Sequence, residues 1–406
     1  RKYIQEAVRQ LKVLVVHNLH RKGSASGDDQ VFKNETTMLE KNGISVVKYT
    51  VINDTFDQAG ILGKIAMTGG MLWSFKNYKK IREIIQKEKP DIMHVHTFFP
   101  LLSPSILYAA KKQKIKVVAT LHDTRFICPC ATSLRDNKIC NLCGDGKYFR
   151  MVRYSCFKGS KMMSAVVAFI FKYHRIRRSF YKLIDRYICL NDQQIKLLKD
   201  TGFSADKIVK KYNFVSDGMD NENVSIERYQ LPDRFAVFYG RIGEEKGIKI
   251  LQQAWEQLPD IPLVVMGGGP LEKEFADWAK YQENIFYLGY VPHGQCMTIA
   301  RKAEFAIMPS IWYEGCSMVA VETESLGIPL VVTDVGFLRE AVKDGYNGFR
   351  FPLGDVTKLC QAVRKLWEDQ KLSKRMGENA REDYEKKYRP EDNLKQLLRI
   401  YQELID

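Results

Sequence analysis

The run Phe235-Ala236-Val237-Phe238-Tyr239-Gly240-Arg241 is apolar until it stops at a glycine followed by a cation. A short apolar run bounded in this way is typical of a strand that is buried on both faces. Similar runs follow at Leu263–Met266, Phe305–Met308 and Pro329–Val332. Because strands that alternate with helices favour parallel pairing, the second half of the chain predicts a doubly wound α/β sheet.

The first half of the chain repeats this alternation. Its strand-like runs are Leu11–Val16, Ile44–Tyr49, Ile92–His96, Lys116–Leu121 and Tyr187–Leu190. The stretches between them predict helices over 29–41, 81–87 and 105–112. Two doubly wound halves in succession predict a central cleft that the carboxyl ends of the strands face.

The polar residues 216–233, which include Pro232, separate the two halves. We therefore expect an N-terminal domain over residues 1–215 and a C-terminal domain over 216–388. Residues 389–406 predict an amphipathic helix that crosses back to the N-terminal domain. A cysteine-rich and basic insertion interrupts the first domain at residues 123–180.

Composition excludes several classes of protein. The chain of 406 residues has 45% hydrophobic and 27% charged residues, which argues against disorder, collagen and coiled coil. No apolar run reaches the ~18–20 residues of a membrane span. Residues 1–6 contain no apolar core, so we expect no signal peptide and a cytosolic protein. Because nine cysteines is an odd number, reduced thiols or a metal site are favoured over structural disulfides.

Two loops at the predicted strand ends carry candidate binding residues. In the first, residues 239–247, Arg241 could bind a diphosphate through its forked guanidinium and Lys246 through its single charge. Taken alone, however, this loop is better explained as a solvated turn. In the second, residues 312–322, a Gly–Ser loop between Glu314 and Glu322 leads into an apolar helix start. A helix N-terminus there would offer an anion site, but Glu314 as an N-cap with an exposed Glu322 explains the pattern equally well.

A third candidate is His122, which follows the predicted strand Lys116–Leu121. At the carboxyl end of that strand the imidazole would face the cleft. A hydrogen-bonded turn histidine is the commoner role for a single histidine in such a place.

Taken together, these segments resemble the retaining glycosyltransferases of family 4, among them enzymes of bacterial polysaccharide and lipopolysaccharide synthesis, which have the GT-B fold. Glu314, seven residues and Glu322, followed by Gly327–Val332, look like that family's E-x7-E signature. Residues 240–247 look like its donor-diphosphate loop, and Gly345–Phe349 resembles another common stretch. Ser26-Gly27 falls where many members have two glycines, and the serine leaves open how closely that loop approaches the donor phosphates.

The resemblance implies a role for each matching position. Arg241 and Lys246 would bind the diphosphate and stabilise the leaving nucleoside diphosphate, Glu314 would contact the transferred sugar, and Glu322 would hold the ribose. His122 would lie near the anomeric carbon and the acceptor. The other substrate-binding positions would be Gly27, Gly315, Cys316, Ser317, Met318 and Val319.

The resemblance also implies the reaction. A hexose-type sugar would pass with retention from a UDP- or GDP-sugar to a glycan or lipid-linked acceptor. The departing phosphate would help to deprotonate the acceptor. The chain contains no Asp-x-Asp, so we expect fixed cations rather than a divalent metal to neutralise the diphosphate, and no cofactor for catalysis.

The insertion suggests two further features. The spacing of Cys128, Cys140, Cys143 and Cys156, with Cys130 as a substitute ligand, could form a structural zinc site; a reduced loop or a redox-sensitive thiol pair are alternatives. Residues 146–186 carry eleven lysines and arginines against one acidic residue, within a chain of net charge +15. With the apolar run 162–171 they predict contact with anionic lipid at the inner face of a membrane, the alternative being a buried helix with a solvated basic edge.

Other functions fit the sequence less well. No nucleic-acid-binding signature is present, so we expect no nucleic-acid partner. Residues 267–272 lack the third glycine of a dinucleotide fingerprint, which argues against an oxidoreductase. A nucleotide-sugar epimerase and a catalytically degenerate GT-B subunit remain as alternatives, the second disfavoured by the intact Arg241, Lys246, Glu314 and Glu322.

Overall fold

A computed structural model of the chain describes residues 11–20, 26–54, 68–136, 138–217 and 224–405. These residues form two compact units. The N-terminal unit comprises the described residues through Ser133, Cys140–Tyr212 and those from Glu391 onward. The C-terminal unit comprises Leu134–Ile139 and Asn213–Pro390.

The strands of the described residues, in chain order, are β1 Lys12–Leu19, β2 Ser45–Ile52, β3 Ile92–Thr97, β4 Lys116–Leu121, β5 Leu134–Arg135, β6 Lys138–Ile139, β7 Arg186–Cys189, β8 Ile208–Lys210, β9 Ala236–Tyr239, β10 Leu263–Met266, β11 Ile285–Tyr287, β12 Phe305–Met308, β13 Leu330–Thr333 and β14 Gly348–Phe351. The helices whose two ends both lie within the described residues are α1 Gly27–Lys41, α2 Phe75–Glu88, α3 Ser105–Lys112, α4 Phe149–Arg153, α5 Lys161–Ile176, α6 Ser179–Leu183, α7 Asp192–Asp200, α8 Ile248–Trp255, α9 Glu272–Ala279, α10 His293–Ala300, α11 Met318–Ser325, α12 Gly336–Ala341, α13 Val356–Glu368, α14 Gln370–Lys387 and α15 Pro390–Ile405.

The N-terminal unit is built on a six-stranded sheet in the order β2-β1-β3-β4-β7-β8. All of its strand pairs are parallel. The central strands β1, β3, β4 and β7 are largely buried, and the core packs helices against them. The order reverses between β1 and β3, which opens a crevice at the carboxyl ends of these two strands.

The C-terminal unit has a second parallel sheet, in the order β11-β10-β9-β12-β13-β14. Its core contains the fully buried side chains of Trp255, Phe275 and Phe305. The strand order reverses between β9 and β12. In open α/β sheets ligands bind at such a reversal, outside the carboxyl ends of the strands.

The predicted alternation of strands and helices is confirmed in both units, with differences at the edges. Strands β8, β11 and β14 were not predicted from the apolar pattern. Each of them forms one end of a sheet. Lys210 ends β8, Arg350 interrupts β14 and β11 has only three residues, so none of them shows the longer apolar run of the central strands. The predicted basic helix near Phe180 is two helices, because Arg178 adopts the left-handed conformation (φ 54°) between α5 and α6.

The helix α15 belongs to the N-terminal unit although it ends the chain. Tyr401 Oη lies 2.7 Å from Nδ1 of the buried His94 on β3. Asn393 Oδ1 accepts a hydrogen bond of 2.8 Å from Lys211 Nζ. Polar contacts therefore fix this helix against the sheet, in addition to its buried face of Leu397, Leu398 and Ile400.

Close approach of the backbones at the ends of β9 and β10 depends on Gly267. A Cβ atom at this position would lie 1.8 Å from the carbonyl oxygen of Gly240, and φ is +141°. At Gly345, φ is +76° but a Cβ atom would meet nothing within 4 Å.

We predict that Gly267→Ala destabilises the protein by more than 2 kcal/mol, because the strand ends must separate, whereas Gly345→Ala costs about 1 kcal/mol of left-handed strain. Urea unfolding of both variants measures the difference. Equal losses would show that the strand ends are not closely packed.

Candidate active site

Two loops of the C-terminal unit meet at the reversal of strand order. The first follows β9 and contains a 3-10 turn at Glu244–Lys246; the second follows β12 and leads to α11. Their backbones are in contact, because Ile311 N donates to Glu245 O at 3.0 Å. Gly247 has φ +72°, and a Cβ atom there would lie 1.9 Å from Pro309 O. The geometry of each loop therefore depends on the other.

The contact joins two residues that the sequence motifs named separately. Lys246 Nζ lies 2.6 Å from Glu314 Oε1, which also accepts a 2.8 Å hydrogen bond from Ser310 Oγ. Glu314 is 6% exposed. Burial by itself would raise the pKa of Glu314, but the Lys246 ammonium and the hydrogen bonds outweigh it and lower that pKa. The site thus holds an ionised carboxylate beside a cation.

Arg241 lies in the same loop with a more open environment. Its side chain is 54% exposed, and Nε lies 3.6 Å from Glu245 Oε1. The guanidinium can therefore reach an anion without losing a buried partner. In contrast, Lys246 is engaged on two sides: its Nζ lies 5.8 Å from the Trp312 ring centroid and forms an ion pair with Glu314.

Ser317, not Glu314, caps the helix α11. Its hydroxyl accepts a hydrogen bond from Ala320 N at 3.5 Å, so the interpretation of Glu314 as the N-cap is wrong. Gly315 and Cys316 form the half-buried turn before the cap, and Met318 begins the helix. Val319 O accepts from Tyr239 Oη of β9 at 3.2 Å, which ties the first turn of α11 to the sheet.

Glu322 lies one turn further along α11 and has a partner that the motif did not indicate. His293 Nε2, from the first residue of α10, lies 3.0 Å from Glu322 Oε1, and the hydrogen bond raises the pKa of this histidine. Nothing in the spacing of His293 signals this contact. The carboxylate is 16% exposed, so it remains accessible at the loop edge.

The N-terminal unit places His122 directly after β4, at the carboxyl edge of its own sheet. Its Nε2 lies 3.0 Å from Nδ1 of His96 at the end of β3, and the rings stack with centroids 5.2 Å apart. His96 Nε2 in turn lies 3.1 Å from Glu35 Oε1 on α1. Sequence reasoning missed both partners. The alternation His94-Val95-His96 on a buried strand was the available signal, because buried imidazoles require polar partners.

Ser26 and Gly27 begin the helix α1. Ser26 is the N-cap, its hydroxyl accepting from Asp29 N, and Gly27 is the first helical residue. The preceding residues 21–25 of the glycine-containing loop lie outside the described residues. The assignment of Gly27 to the donor phosphates stays a prediction.

The five cysteines of the insertion are half-buried and form no disulfide bond among the described residues. Cys130, Cys143 and Cys156 pack against the apolar core of the N-terminal unit. A hydrogen bond with Cys130 lowers the pKa of the Cys128 thiol to about 6. Within the described ranges, the side chains whose ligand atoms all lie within 4.8 Å of one another are Glu35, His94 and His96, and not a set of these thiols. The zinc site stays a prediction.

The helix α5 has two different apolar faces. Val167, Ile170 and Phe171 are buried in the unit, whereas other apolar side chains on the opposite face are exposed: Met162 by 73%, Phe169 by 62% and Ile176 by 70%. These three follow one another at seven-residue spacing, about two turns of helix, and so form one stripe. Among the described residues, no helix is long and apolar enough to cross a bilayer.

Comparisons with known proteins identify both halves of the chain. Residues 31–217 match the model of Glycosyltransferase Family 4, and residues 221–383 match that of Glycosyl transferases group 1. The alpha-D-kanosaminyltransferase of Streptomyces kanamyceticus is 25% identical over 85% of this chain and 84% of its own length. The O-antigen chain mannosyltransferase C of Escherichia coli is 26% identical over 46% of this chain and 51% of its own length.

The same architecture occurs in a solved structure. The crystal structure of Anabaena Alr3699/HepE in complex with UDP and glucose superposes with a TM-score of 0.63, covering 96% of this chain and 98% of that one at 16% identity. At this identity the likeness shows the fold, which is the predicted two-domain α/β architecture.

The zinc prediction can be tested on the purified protein. We expect about one zinc ion per chain by elemental mass spectrometry, lost in Cys143→Ser with a fall in melting temperature, because a structural zinc site contributes folding energy. Cys360→Ser, a half-buried cysteine of the C-terminal unit, is the matched control and should keep the metal. A zinc-free wild-type protein, or full zinc content in Cys143→Ser, would contradict the prediction.

Proposed function

This chain belongs to the family 4 glycosyltransferases with the GT-B fold, and from this premise we propose that it transfers a hexose-type sugar, with retention of configuration, from a nucleoside-diphosphate sugar to a glycan or lipid-linked acceptor. The observation that carries the proposal is the contact of the half-buried Lys246 with the buried Glu314, 2.6 Å apart at the reversal of strand order in the C-terminal sheet and shortly before the N-terminus of α11.

This arrangement suits a leaving group that gains negative charge. When the bond between the sugar and the diphosphate breaks, the departing nucleoside diphosphate must be stabilised. Arg241, Lys246 and the backbone N–H groups of the turn that leads into α11 are donors that could stabilise that charge. We propose that Lys246 exchanges part of its contact with Glu314 for the diphosphate, and that Glu314 is then available to hydroxyls of the transferred sugar.

The remaining assignments follow the family's motif. Glu322, accessible at the edge of α11, would hold the ribose, and the turn Gly315–Val319 would support the phosphates and the sugar. His122 would lie near the anomeric carbon and the acceptor. With retention, the acceptor attacks from the face that the diphosphate leaves, and the departing phosphate oxygen takes the acceptor proton.

The donor is proposed to be a UDP- or GDP-sugar, bound without a catalytic metal. The Anabaena Alr3699/HepE structure contains UDP, which supports a UDP-sugar as the donor. The chain contains no Asp-x-Asp, and two fixed cations are present in the loop after β9. The name of the Escherichia coli relative supports a role in cell-surface polysaccharide synthesis.

We further propose that the protein acts at the inner face of a membrane, through the α5 stripe. The exposed apolar side chains of this stripe lie among the basic residues of the insertion, including Lys161, Lys172 and Arg177. Apolar groups that insert beside cations fit an interface with anionic lipid headgroups. The alternative of a fully buried helix does not account for Phe169 and Ile176.

The proposed donor site can be tested by binding and turnover together. UDP, GDP, ADP and dTDP are each added to the protein, and the melting temperature is measured without metal. A nucleotide that binds the folded state stabilises it by RT ln(1 + [L]/Kd), so one responding nucleotide identifies the donor base. We expect Lys246→Ala and Glu314→Gln each to lower transfer from that donor by at least ~100-fold, because each removes a group aimed at developing charge.

Glu244→Gln is the control, because this carboxylate lies in the same loop but is exposed. Circular dichroism verifies that each variant is folded. Near-wild-type turnover by Glu314→Gln or Lys246→Ala would remove the site assignment. Nucleotide binding without any transfer would favour the degenerate subunit, and inversion of the sugar's configuration at C2 or C4 in the nucleotide-bound form would favour the epimerase.

The membrane proposal predicts separate losses from charge and from apolar contact. The double variant Lys161→Gln with Lys172→Gln should bind phosphatidylglycerol vesicles more weakly by about 1 kcal/mol per charge, as measured by sedimentation. Added salt should weaken binding of the wild-type protein in the same way. Met162→Ser with Phe169→Ser should weaken it at all salt concentrations. Tyr281→Ser, an exposed aromatic of the C-terminal unit, is the control. Unchanged sedimentation of both double variants would contradict the proposal.

A further inference from the structure

Three side chains from different elements form a connected polar chain at the carboxyl edge of the N-terminal sheet. Glu35 Oε1 lies 3.1 Å from His96 Nε2, and His96 Nδ1 lies 3.0 Å from His122 Nε2. Glu35 is 1% exposed and His96 is 4% exposed. Buried polar groups destabilise a core unless each of them is hydrogen-bonded, so the protons of this chain must be placed to satisfy every member.

The charge of Glu35 sets the direction of the first bond. Lys211 Nζ lies 3.2 Å from Glu35 Oε2, and both side chains are buried. Burial raises the pKa of Glu35, but Lys211 and the neighbouring histidines lower it to well below its usual range. An ionised carboxylate can only accept, so His96 must donate its Nε2–H to Glu35.

The second bond follows from the first. Burial lowers the pKa of His96 and of His122 to about 3, so both rings are neutral at physiological pH. A neutral His96 that carries its proton on Nε2 has a lone pair on Nδ1, which accepts from His122. His122 therefore carries its proton on Nε2 as well, and its Nδ1 is an acceptor.

We infer that Glu35 and His96 are positioning residues, which hold His122 in the tautomer whose Nδ1 lone pair accepts a hydrogen bond from a hydroxyl group of the substrate. The inference rests on the proposed place of His122 near the acceptor and the transferred sugar. A small pocket beside His122 is lined by Thr97, Phe98, Asp123 and Arg125 among others, so the imidazole borders space that a hydroxyl can enter.

A metal ion is a poor occupant for this cluster, although Glu35, His94 and His96 place their ligand atoms within 4.8 Å of one another. The Lys211 ammonium already neutralises Glu35. His94 has hydrogen bonds at both ring nitrogens, to Tyr401 Oη at 2.7 Å and to Thr120 Oγ1 at 2.8 Å. The geometry therefore favours a hydrogen-bonded chain that ends at His122.

Other charged groups face this chain and bear on its protonation. Around Glu35 they are Lys211, His94 and His96; around His122 they are His17, His94, His96, Glu35 and Lys211. His17 is itself held by Asp29, with Nε2 at 2.8 Å from Oδ1. Glu35 is the acidic group of the chain, and its ionised carboxylate determines which ring nitrogen of His96, and then of His122, carries the proton.

The first test uses kinetics with the responding donor. We expect His96→Gln to lower kcat by about 10-fold or more with a smaller effect on the KM of the donor, because a mispositioned imidazole loses its contact with the reacting groups. His122→Ala should have at least the same effect. The double variant should be no slower than His122→Ala, since His96 acts only through His122.

A buried histidine outside the chain supplies the control. His174 is buried with partners Ser179 Oγ and Leu72 O, each at 3.0 Å, and His174→Gln should lower the melting temperature without the loss in kcat. A further loss of kcat when His96→Gln is added to His122→Ala would overturn the inference. If His122→Ala alone kept wild-type turnover, the placing of His122 in the proposed function would fail and the positioning role with it.

The second test needs no turnover. Long-range ¹H–¹⁵N spectra of the ¹⁵N-histidine-labelled protein report which ring nitrogen carries the proton, and His122→Ala assigns its signals. We expect the Nε2–H tautomer for His122 in the wild-type protein and a mixture of tautomers in His96→Gln. The inference would be overturned if His122 were the Nδ1–H tautomer in the wild-type protein, or if its tautomer were the same in His96→Gln as in the wild-type protein. Both outcomes are independent of what the enzyme transfers.

Discussion

Parallel pairing of buried strands is the constraint on which the rest of this structure depends. It aligns the carboxyl ends of all strands of a sheet at one edge, and the loops that leave this edge are the ones free to carry polar chemistry. In the C-terminal sheet the order reverses between β9 and β12, and the loops after these strands hold Lys246 and Glu314. In the N-terminal sheet the corresponding edge, near the reversal between β1 and β3, holds His96 and His122.

The buried carboxylates at these edges are kept ionised by lysines. Glu314 has Lys246 at 2.6 Å, and Glu35 has Lys211 at 3.2 Å. Glu324, on α11 but buried in the core, has the opposite environment: burial and the nearby Asp383 carboxylate raise its pKa well above the usual range, although Lys387 and Lys343 act in the other direction. The difference decides what each group can do, since only an ionised carboxylate can balance a cation, and an ionised carboxylate can only accept, so it fixes the direction of its hydrogen bond with a histidine.

The insertion shows how one helix serves two surfaces. The buried face of α5 completes the apolar core beside Phe180 and Tyr148, while its other face presents apolar side chains to the exterior. A continuous apolar run such as residues 162–171 cannot reveal from the sequence which of its members are buried. Only the packing of α5 against the sheet separates Phe171, which is enclosed, from Phe169, which is 62% exposed.

Apolar patterning alone was enough to predict the two α/β halves, the positions of the central strands and the loops with Arg241, Lys246, Glu314 and Glu322, because buried parallel strands are continuous apolar runs and their ends are marked by glycine and charge. It left the edge strands β8, β11 and β14 unrecognised, since a strand at or near the edge of a sheet needs no such run. The folded structure was needed to show that Ser317 rather than Glu314 caps α11, that Lys246 contacts Glu314, 68 positions along the chain, and that Glu35, His96 and His122 form one hydrogen-bonded chain. Contacts of this kind join residues from separate elements, and their partners are selected by the packing of helices on the sheet, which local sequence patterns do not encode.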